Sequence, residues 1–251
     1  MVDRSLQFSL GRAAAYNCRV ADNREKNSIT LATALKSARW ASDLSPAEFS
    51  RVEASVFERR IPAGGYACRK GEAVEHWFGV VDGLLKLTSD LEDGKTATLT
   101  GVPAGGWFGE GSLMKTEPRR YDAVALRDSR VAFLRRETFQ WLLDHSISFN
   151  RYLLIQLNER LGQFIGLLES ERLLDTDARV ARCLATLFNP VLYPGSGSRL
   201  AVSQEEIGYL TGVSRQRVNR SLKVLQFAGY LSVEYGGITI RDLDGLRRFG
   251  G

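Results

Sequence analysis

The chain has 251 residues, with 34 Lys and Arg against 29 Asp and Glu and a formal net charge of +5. That is enough for one large or two smaller domains with a substantial core, and the positive balance suits a polyanionic partner without requiring one. Cysteines only at 18, 68 and 183 argue for a reducing, cytoplasmic setting and against a disulfide framework or a close metal cluster; no apolar run is long enough to span a bilayer, and the N-terminus lacks a signal core.

Residues 1–42 are polar and mixed, carrying Arg4, Arg12, Arg19, Arg24 and Lys26 against Asp3, Asp22 and Glu25, and read as a poorly ordered arm in which Cys18 is a bystander. A short helix over Leu31 to Trp40 is the alternative for its end. Ser45-Pro46-Ala47-Glu48 is a capping box with proline at the first helical position, which predicts a helix to about Phe57.

From 57 to 135 short runs of Val, Leu, Phe and Thr are cut by Pro62-Ala-Gly-Gly65, Lys70-Gly71-Glu72, Asp82-Gly83, Glu92-Asp93-Gly94, Ala104-Gly-Gly106 and Gly109-Glu110-Gly111. Such regular turn signals predict an antiparallel sandwich or barrel. A metal-dependent enzyme on this scaffold would want about three inward histidines and a carboxylate, and the chain has only His76 and His145. Gly94-Lys95-Thr96 lacks the earlier glycine of a phosphate loop, since Ser89 stands there. Without a Gly-x-Ser-x-Gly elbow or a Ser/His/Asp set, no catalytic residue and no metal ligand is assigned.

Beyond Phe139 the period becomes helical. Ile147, Asn150, Leu154, Leu157, Leu161, Phe164 and Leu168 step by three and four, a heptad seam that predicts a parallel two-helix dimer contact. The alternative is one amphipathic helix covering its own domain. A further helix runs from Asp175 to Asn189, capped by Asp175 or Thr176, with Val180, Leu184 and Leu187 as core and Cys183 packed nearby; Tyr193-Pro-Gly-Ser-Gly-Ser198 reads as a loop.

The stretch from Ser203 to Ile240 carries the chemistry. Ser203 with Glu206 forms a second capping box, Gly212 ends that helix, and Ser214 caps another, predicted over 214–228. This is helix-turn-helix geometry. Two alternating apolar runs meeting at Tyr235-Gly236-Gly237 predict a wing. On the second helix Val218, Ser221, Leu222 and Leu225 face inward, and Gln216, Asn219, Arg220 and Lys223 face outward, flanked by Arg215 and Arg217. Such a face suits the major groove, where Arg reads guanine, an amide reads adenine and flanking cations meet phosphates. The bland alternative is a solvated basic face.

The order of β-roll, long helix and winged helix, with Gly109-Glu110 in the roll and Val213-Ser-Arg-Gln-Arg-Val-Asn-Arg220 in the reading helix, resembles the Crp-Fnr superfamily of bacterial transcription regulators over residues 43–249. The resemblance implies an α+β protein: an antiparallel, jelly-roll-like sensor roll over 43–145, a dimerisation helix over 146–172, and a winged helix-turn-helix domain over 173–251. It implies a homodimer on a near-palindromic site in double-stranded DNA, with RNA polymerase as a partner. The expected DNA contacts are Ser203, Ser214, Arg215, Gln216, Arg217, Asn219, Arg220 and Lys223. The expected dimer residues are Ile147, Leu154, Leu157, Leu161, Phe164 and Leu168.

Members that bind cyclic AMP resemble one another at Gly-Glu and at a following Arg-Ser or Arg-Thr. Here Gly109, Glu110 and Arg119 match, but Arg120 replaces the hydroxyl residue, and Phe164 and Ile165 replace the hydroxyl residues of the dimer helix. Counted back from Leu174-Asp175, these apolar side chains cannot bond adenine, so the expectation is an effector other than classical cyclic AMP, held near Arg119 and Arg120, or none. Three cysteines do not support the family's iron-sulfur cluster, and Cys68 with His76 does not support haem. The alternative function is a ligand-sensing roll that acts through protein contacts rather than DNA.

Overall fold

The computed structural model describes residues 29–90, 96–173, 175–195 and 197–250, with side chains omitted at 90 and 169–173. The arm up to residue 28 with Cys18, the Glu92-Asp93-Gly94 turn with Lys95, the reference position Leu174, and Ser196 lie outside the described residues. From Leu31 onward the chain forms one unit.

The end of the expected arm is built into the core. Helices α1 (Leu31–Ser37) and α2 (Arg39–Ser42) bury Leu35, Ala38, Trp40 and Ala41. Trp40 packs against Trp77 and Trp107, with ring centroids 5.1 and 4.9 Å away. The charge-rich composition before it concealed this local apolar anchor. Helix α3 (Pro46–Ser55) starts at the expected capping box, where Ser45 Oγ accepts from the Glu48 N–H and Glu48 Oε2 from the Ser45 N–H. It ends at Ser55, two residues short of the expected Phe57, because the β-branched Val56 already pairs with Leu134.

The roll comprises β1 (Val56–Ile61), β2 (Tyr66–Cys68), β3 (His76–Asp82), β4 (Leu84–Asp90), β5 (Thr96–Pro103), β6 (Trp107–Phe108), β7 (Asp122–Ala125) and β8 (Ser129–Arg135). They form two antiparallel four-stranded sheets in the orders β1-β8-β3-β6 and β2-β7-β4-β5. Phe78, Val80, Leu85, Leu87, Val102 and Phe133 fill the space between them. Helix α4 (Glu110–Lys115) follows Gly109, so what reads as a turn at Gly109-Glu110-Gly111 opens a helix. Helices α5 (Arg136–His145) and α6 (Ile147–Leu173) follow the roll. Among the described residues no helix is long and apolar enough to cross a membrane.

The C-terminal region contains α7 (Thr176–Leu187), β9 (Arg199–Leu200), α8 (Gln204–Thr211), α9 (Arg215–Phe227), β10 (Leu231–Glu234), β11 (Gly237–Ile240) and α10 (Leu243–Arg248). Asp175 caps α7 by accepting from the Ala178 N–H at 2.9 Å. Strand β9 pairs with β11 and adds a third strand to the wing. The expected loop after α7 is anchored where it begins. Leu192 and Tyr193 are buried in the roll's core, and the Tyr193 hydroxyl donates to the Gly101 carbonyl at 3.0 Å.

Roll and C-terminal region therefore share a contact. Gly101 on β5 faces α7 and α8 so closely that a β-carbon there would lie 2.7 Å from Leu187 Cδ2 and 3.1 Å from Leu210. Beside it Arg127 Nε pairs with Glu206 Oε1 at 3.0 Å, and Arg127 Nη2 donates to the Ala201 carbonyl. Glu206 thus serves both the cap of α8 and this ion pair.

Candidate nucleic-acid interface

Local chemistry positions α9. Ser203 Oγ accepts from the Glu206 N–H at 3.1 Å and Glu206 Oε2 from the Ser203 N–H at 2.7 Å, so both side chains are committed to starting α8. Gly212 ends α8 with φ 66°, the left-handed conformation a glycine adopts readily. Gly208 lies under the turn, where a β-carbon would come 2.7 Å from the Val213 carbonyl oxygen. Ser214 Oγ then accepts from the Arg217 N–H at 3.3 Å and starts α9.

The faces of α9 separate as the helical period requires. Val218, Ser221, Leu222 and Leu225 are fully buried against α7 and α8. Arg215, Gln216, Arg220 and Lys223 are exposed along the other side. Arg217 and Asn219 stand between these extremes. Arg217 Nη2 lies 3.8 Å from Asp177 Oδ1, and Asn219 Oδ1 accepts from Gln204 Nε2 at 3.3 Å. Asp177 was not singled out in the sequence, because it comes from α7, 40 residues before; its Oδ1 also accepts from the buried Ser221 hydroxyl at 2.6 Å. The apolar Phe227 continues the outer face, and Tyr235 stands fully exposed at the wing tip.

The long helix α6 has two faces as well. Phe149, Leu153 and Gln156 are buried toward the roll and the α1–α2 segment, with Gln156 Nε2 donating to the Trp107 carbonyl at 2.9 Å. Every seventh residue on another side is bare: Ile147, Leu154, Leu161 and Leu168 are 70, 68, 60 and 58 % exposed, with Phe164 and Ile165 exposed alongside. Leu157 is only half exposed. Asn150 is bound within its own chain, donating to the Leu143 and Ser146 carbonyls at 2.7 and 2.9 Å, which caps the end of α5 instead of leaving a free polar seam position.

Residues 58–146 match the cyclic nucleotide-binding domain, and residues 178–249 match the Crp-like helix-turn-helix domain. The chain belongs to the Crp-Fnr family. It is 27 % identical over 191 residues to the CRP-like cAMP-activated global transcriptional regulator of Mycobacterium tuberculosis, spanning 74 % of this chain and 85 % of that one. It is 25 % identical to the c-di-GMP-responsive global regulator CLP of Xanthomonas campestris, whose structure aligns with TM-score 0.54 over 78 % of this chain and 99 % of that one. The structure of FixK2 from Bradyrhizobium japonicum has the same fold at TM-score 0.58 and 20 % identity, covering 78 % of this chain and 98 % of that one. This Crp-Fnr protein is thus a transcription regulator with a helix-turn-helix DNA-binding domain, and its relatives are regulators rather than enzymes.

In the roll of this Crp-Fnr member Gly109 and Arg119 lie together, and Arg120 turns away from them. Arg119 is 3 % exposed. Its Nη1 donates to the Gly109 carbonyl at 2.9 Å, its Nη2 to the His76 carbonyl, and its guanidinium carbon lies 4.6 Å from the Phe78 ring centroid. Burial lowers its pKa below the ordinary guanidinium value. Arg120 is exposed and pairs with Glu117 at 2.6 Å. The expected pair of cations is therefore not one cluster: Arg119 points into the roll and Arg120 into solvent. Glu110 is buried and pairs through Oε1 with Arg160 Nε of α6 at 3.0 Å. Burial works against the charge of Arg160, and Glu110 with the hydroxyls of Tyr193, Tyr121 and Tyr152 outweighs it, so its pKa is raised. Arg160 escaped the sequence reading, since its carboxylate partner lies 50 residues away.

Cys68 is buried with its thiol pushed up to about 11. The His76 ring packs edge-on against Phe57 at 5.3 Å. Among the described residues no group of three or more His, Cys, Asp or Glu is placed to hold a metal.

Proposed function

We propose that the chain acts as a homodimer that reads a near-palindromic promoter site with α9, from the cytoplasm and in concert with RNA polymerase. The observation that carries this reading is the unpaired outer face of α9. Among the described residues no carboxylate pairs with Arg215, Arg220 or Lys223, while the inner face is fully packed. Arg215 and Arg220 read guanine edges, Gln216 reads adenine, and Lys223 and Arg217 meet phosphates. Ser203 and Ser214, whose hydroxyls hold caps, act by fixing the helices rather than by free side-chain contacts. Asn219 has its Oδ1 held by Gln204 and offers DNA the hydrogens of its Nδ2.

The family resemblance implies an acidic residue where Gln216 stands, and a carboxylate accepts from cytosine whereas an amide pairs best with adenine. The half-site is therefore expected to differ from the cyclic-AMP receptor's at that base pair. The dimer forms along Ile147, Leu154, Leu161, Phe164 and Leu168, an apolar strip at heptad spacing on a helix of 27 residues. Two such helices hold the reading heads one DNA turn apart. With Arg119 spent on carbonyls and Phe164 and Ile165 offering no hydroxyl, the effector is not classical cyclic AMP.

The test is the double change Arg215→Ala with Arg220→Ala. Specific DNA binding in a mobility-shift assay should vanish while the sedimentation coefficient stays that of a dimer, and wild-type binding should fall steeply with salt. Unchanged DNA binding by the double variant would favour the reading in which the C-terminal domain docks on a protein.

A further inference from the structure

A cleft of about 270 Å³ lies where three parts of the molecule meet. Its walls come from residues 97–101 of β5, from Phe164, Leu167 and Leu168 of α6, from Cys183 and Leu187 of α7, and from Leu210 of α8. The lining is mainly apolar, and Arg179 and Arg182 are the charged side chains in it. None of Gly109, Glu110 and Arg119 lines it, although Phe164, one of the two dimer-helix positions the family resemblance indicates, does.

The two arginines differ. Arg179 Nη2 is occupied, donating to the Thr211 carbonyl at 2.8 Å and tying α7 to the end of α8. Arg182 has no such bond. Its Nε is shielded from solvent without a hydrogen-bond partner, and among the described residues no carboxylate stands within ion-pair distance of it. A half-buried guanidinium without a partner is an unfavourable arrangement that a ligand anion relieves. Cys183 beside it adds no anion, because burial pushes its thiol up to about 12.

We infer that this cleft binds a small amphipathic monoanion, an apolar body ending in one carboxylate, with the carboxylate on Arg182 and the body among Leu99, Phe164, Leu168, Leu187 and Leu210. Walls lined mainly by apolar groups with one placed charge match the general composition of small-molecule sites. The cation excludes a neutral hydrocarbon as the preferred ligand, and the single free guanidinium excludes a polyphosphate. The cleft also touches the strand, the long helix and both leading helices of the reading domain, so an occupant contacts the two helices against which α9 packs. The link to DNA rests on the function proposed above; binding in the cleft does not. Phe164 and Leu168 also belong to the proposed dimer strip, so a partner helix would close the cleft's open side.

The experiment uses the full chain with decanoate, kept below its micelle-forming concentration, as probe and 1-decanol as its uncharged counterpart. Calorimetry without DNA should give saturable decanoate binding and at least tenfold weaker decanol binding. Arg182→Met, which keeps the apolar stem and removes an unpartnered group, should weaken decanoate at least tenfold with unchanged melting temperature. Cys183→Phe, which fills the cleft, should abolish binding of both probes. Equal affinity for both probes, or decanoate binding unaffected by Arg182→Met and Cys183→Phe, would overturn the inference, as would no binding at all. The Arg215→Ala, Arg220→Ala variant should still bind decanoate, which separates failure of this site from failure of the DNA reading.

Discussion

The arginines of α9 and those of the roll carry the same group in opposite circumstances. Arg215 and Arg220 stand in water with no described partner, whereas Arg119 and Arg160 are buried and bonded to Gly109, His76, Trp107 and Glu110. A buried cation persists only where carboxylates or carbonyls replace its water, and there it fixes structure. An exposed one contributes little to folding and keeps its hydrogen-bonding capacity for another molecule. The same residue type is thus a fastener in one region and a reading group in the other. Arg217, 3.8 Å from Asp177, marks the boundary between them.

The largest expected effect breaks the buried side of this contrast. Glu110→Ala leaves Arg160 buried without its carboxylate and should cost about 3–5 kcal/mol of stability by chemical denaturation. Adding Arg160→Met should restore part of that loss, and an additive double variant would refute the coupling.

On the exposed side, Gln216→Glu should leave the melting temperature unchanged and exchange an adenine preference for a cytosine one. The change in discrimination should be about 1–3 kcal/mol by competition binding on paired oligonucleotides. A still smaller effect is expected of Lys223→Ala, which should weaken all sequences alike and reduce the slope of log affinity against log salt by roughly one. Sequence-selective loss instead would move Lys223 from phosphate to base.

The smallest effect concerns pH. Burial, with Arg59, Arg119 and Arg135 nearby and only Glu75 opposing, lowers the His76 pKa. The folded state then binds that proton less readily than the unfolded chain, so stability is complete above the ordinary histidine value and declines as pH falls through it. Melting temperature should drop between about pH 7.5 and about pH 5.5, and His76→Gln should drop less. An identical decline in the variant would assign it to other groups.

What could be read in advance follows the range of the interactions. The caps at Ser45, Ser203 and Ser214 and the turn at Gly212 are encoded within four residues, and the inner and outer faces of α9 follow from one helical period. The opposed fates of Arg119 and Arg120 depend on which of two neighbouring side chains enters the core, and their letters are identical. Glu110 with Arg160, Arg127 with Glu206, Asp177 with Arg217 and Tyr193 with Gly101 all join residues at least 40 apart. No local pattern announces such pairs. Asn150 shows the same limit in the other direction, since its place in a heptad suggested a partner helix and its amide serves the end of α5.

Trp40, Trp77 and Trp107 form a triangle of indoles whose neighbouring centroids lie 4.6–5.1 Å apart. Rings this close absorb as a coupled set, which gives the molecule an intrinsic near-ultraviolet dichroism signal for the seating of its first two helices. A fragment trimmed to residue 58, where the sensor-domain match begins, would lose one corner of the triangle and uncover the faces of Trp77 and Trp107 that Trp40 packs against. Expression fragments of this regulator therefore have to begin no later than Leu31.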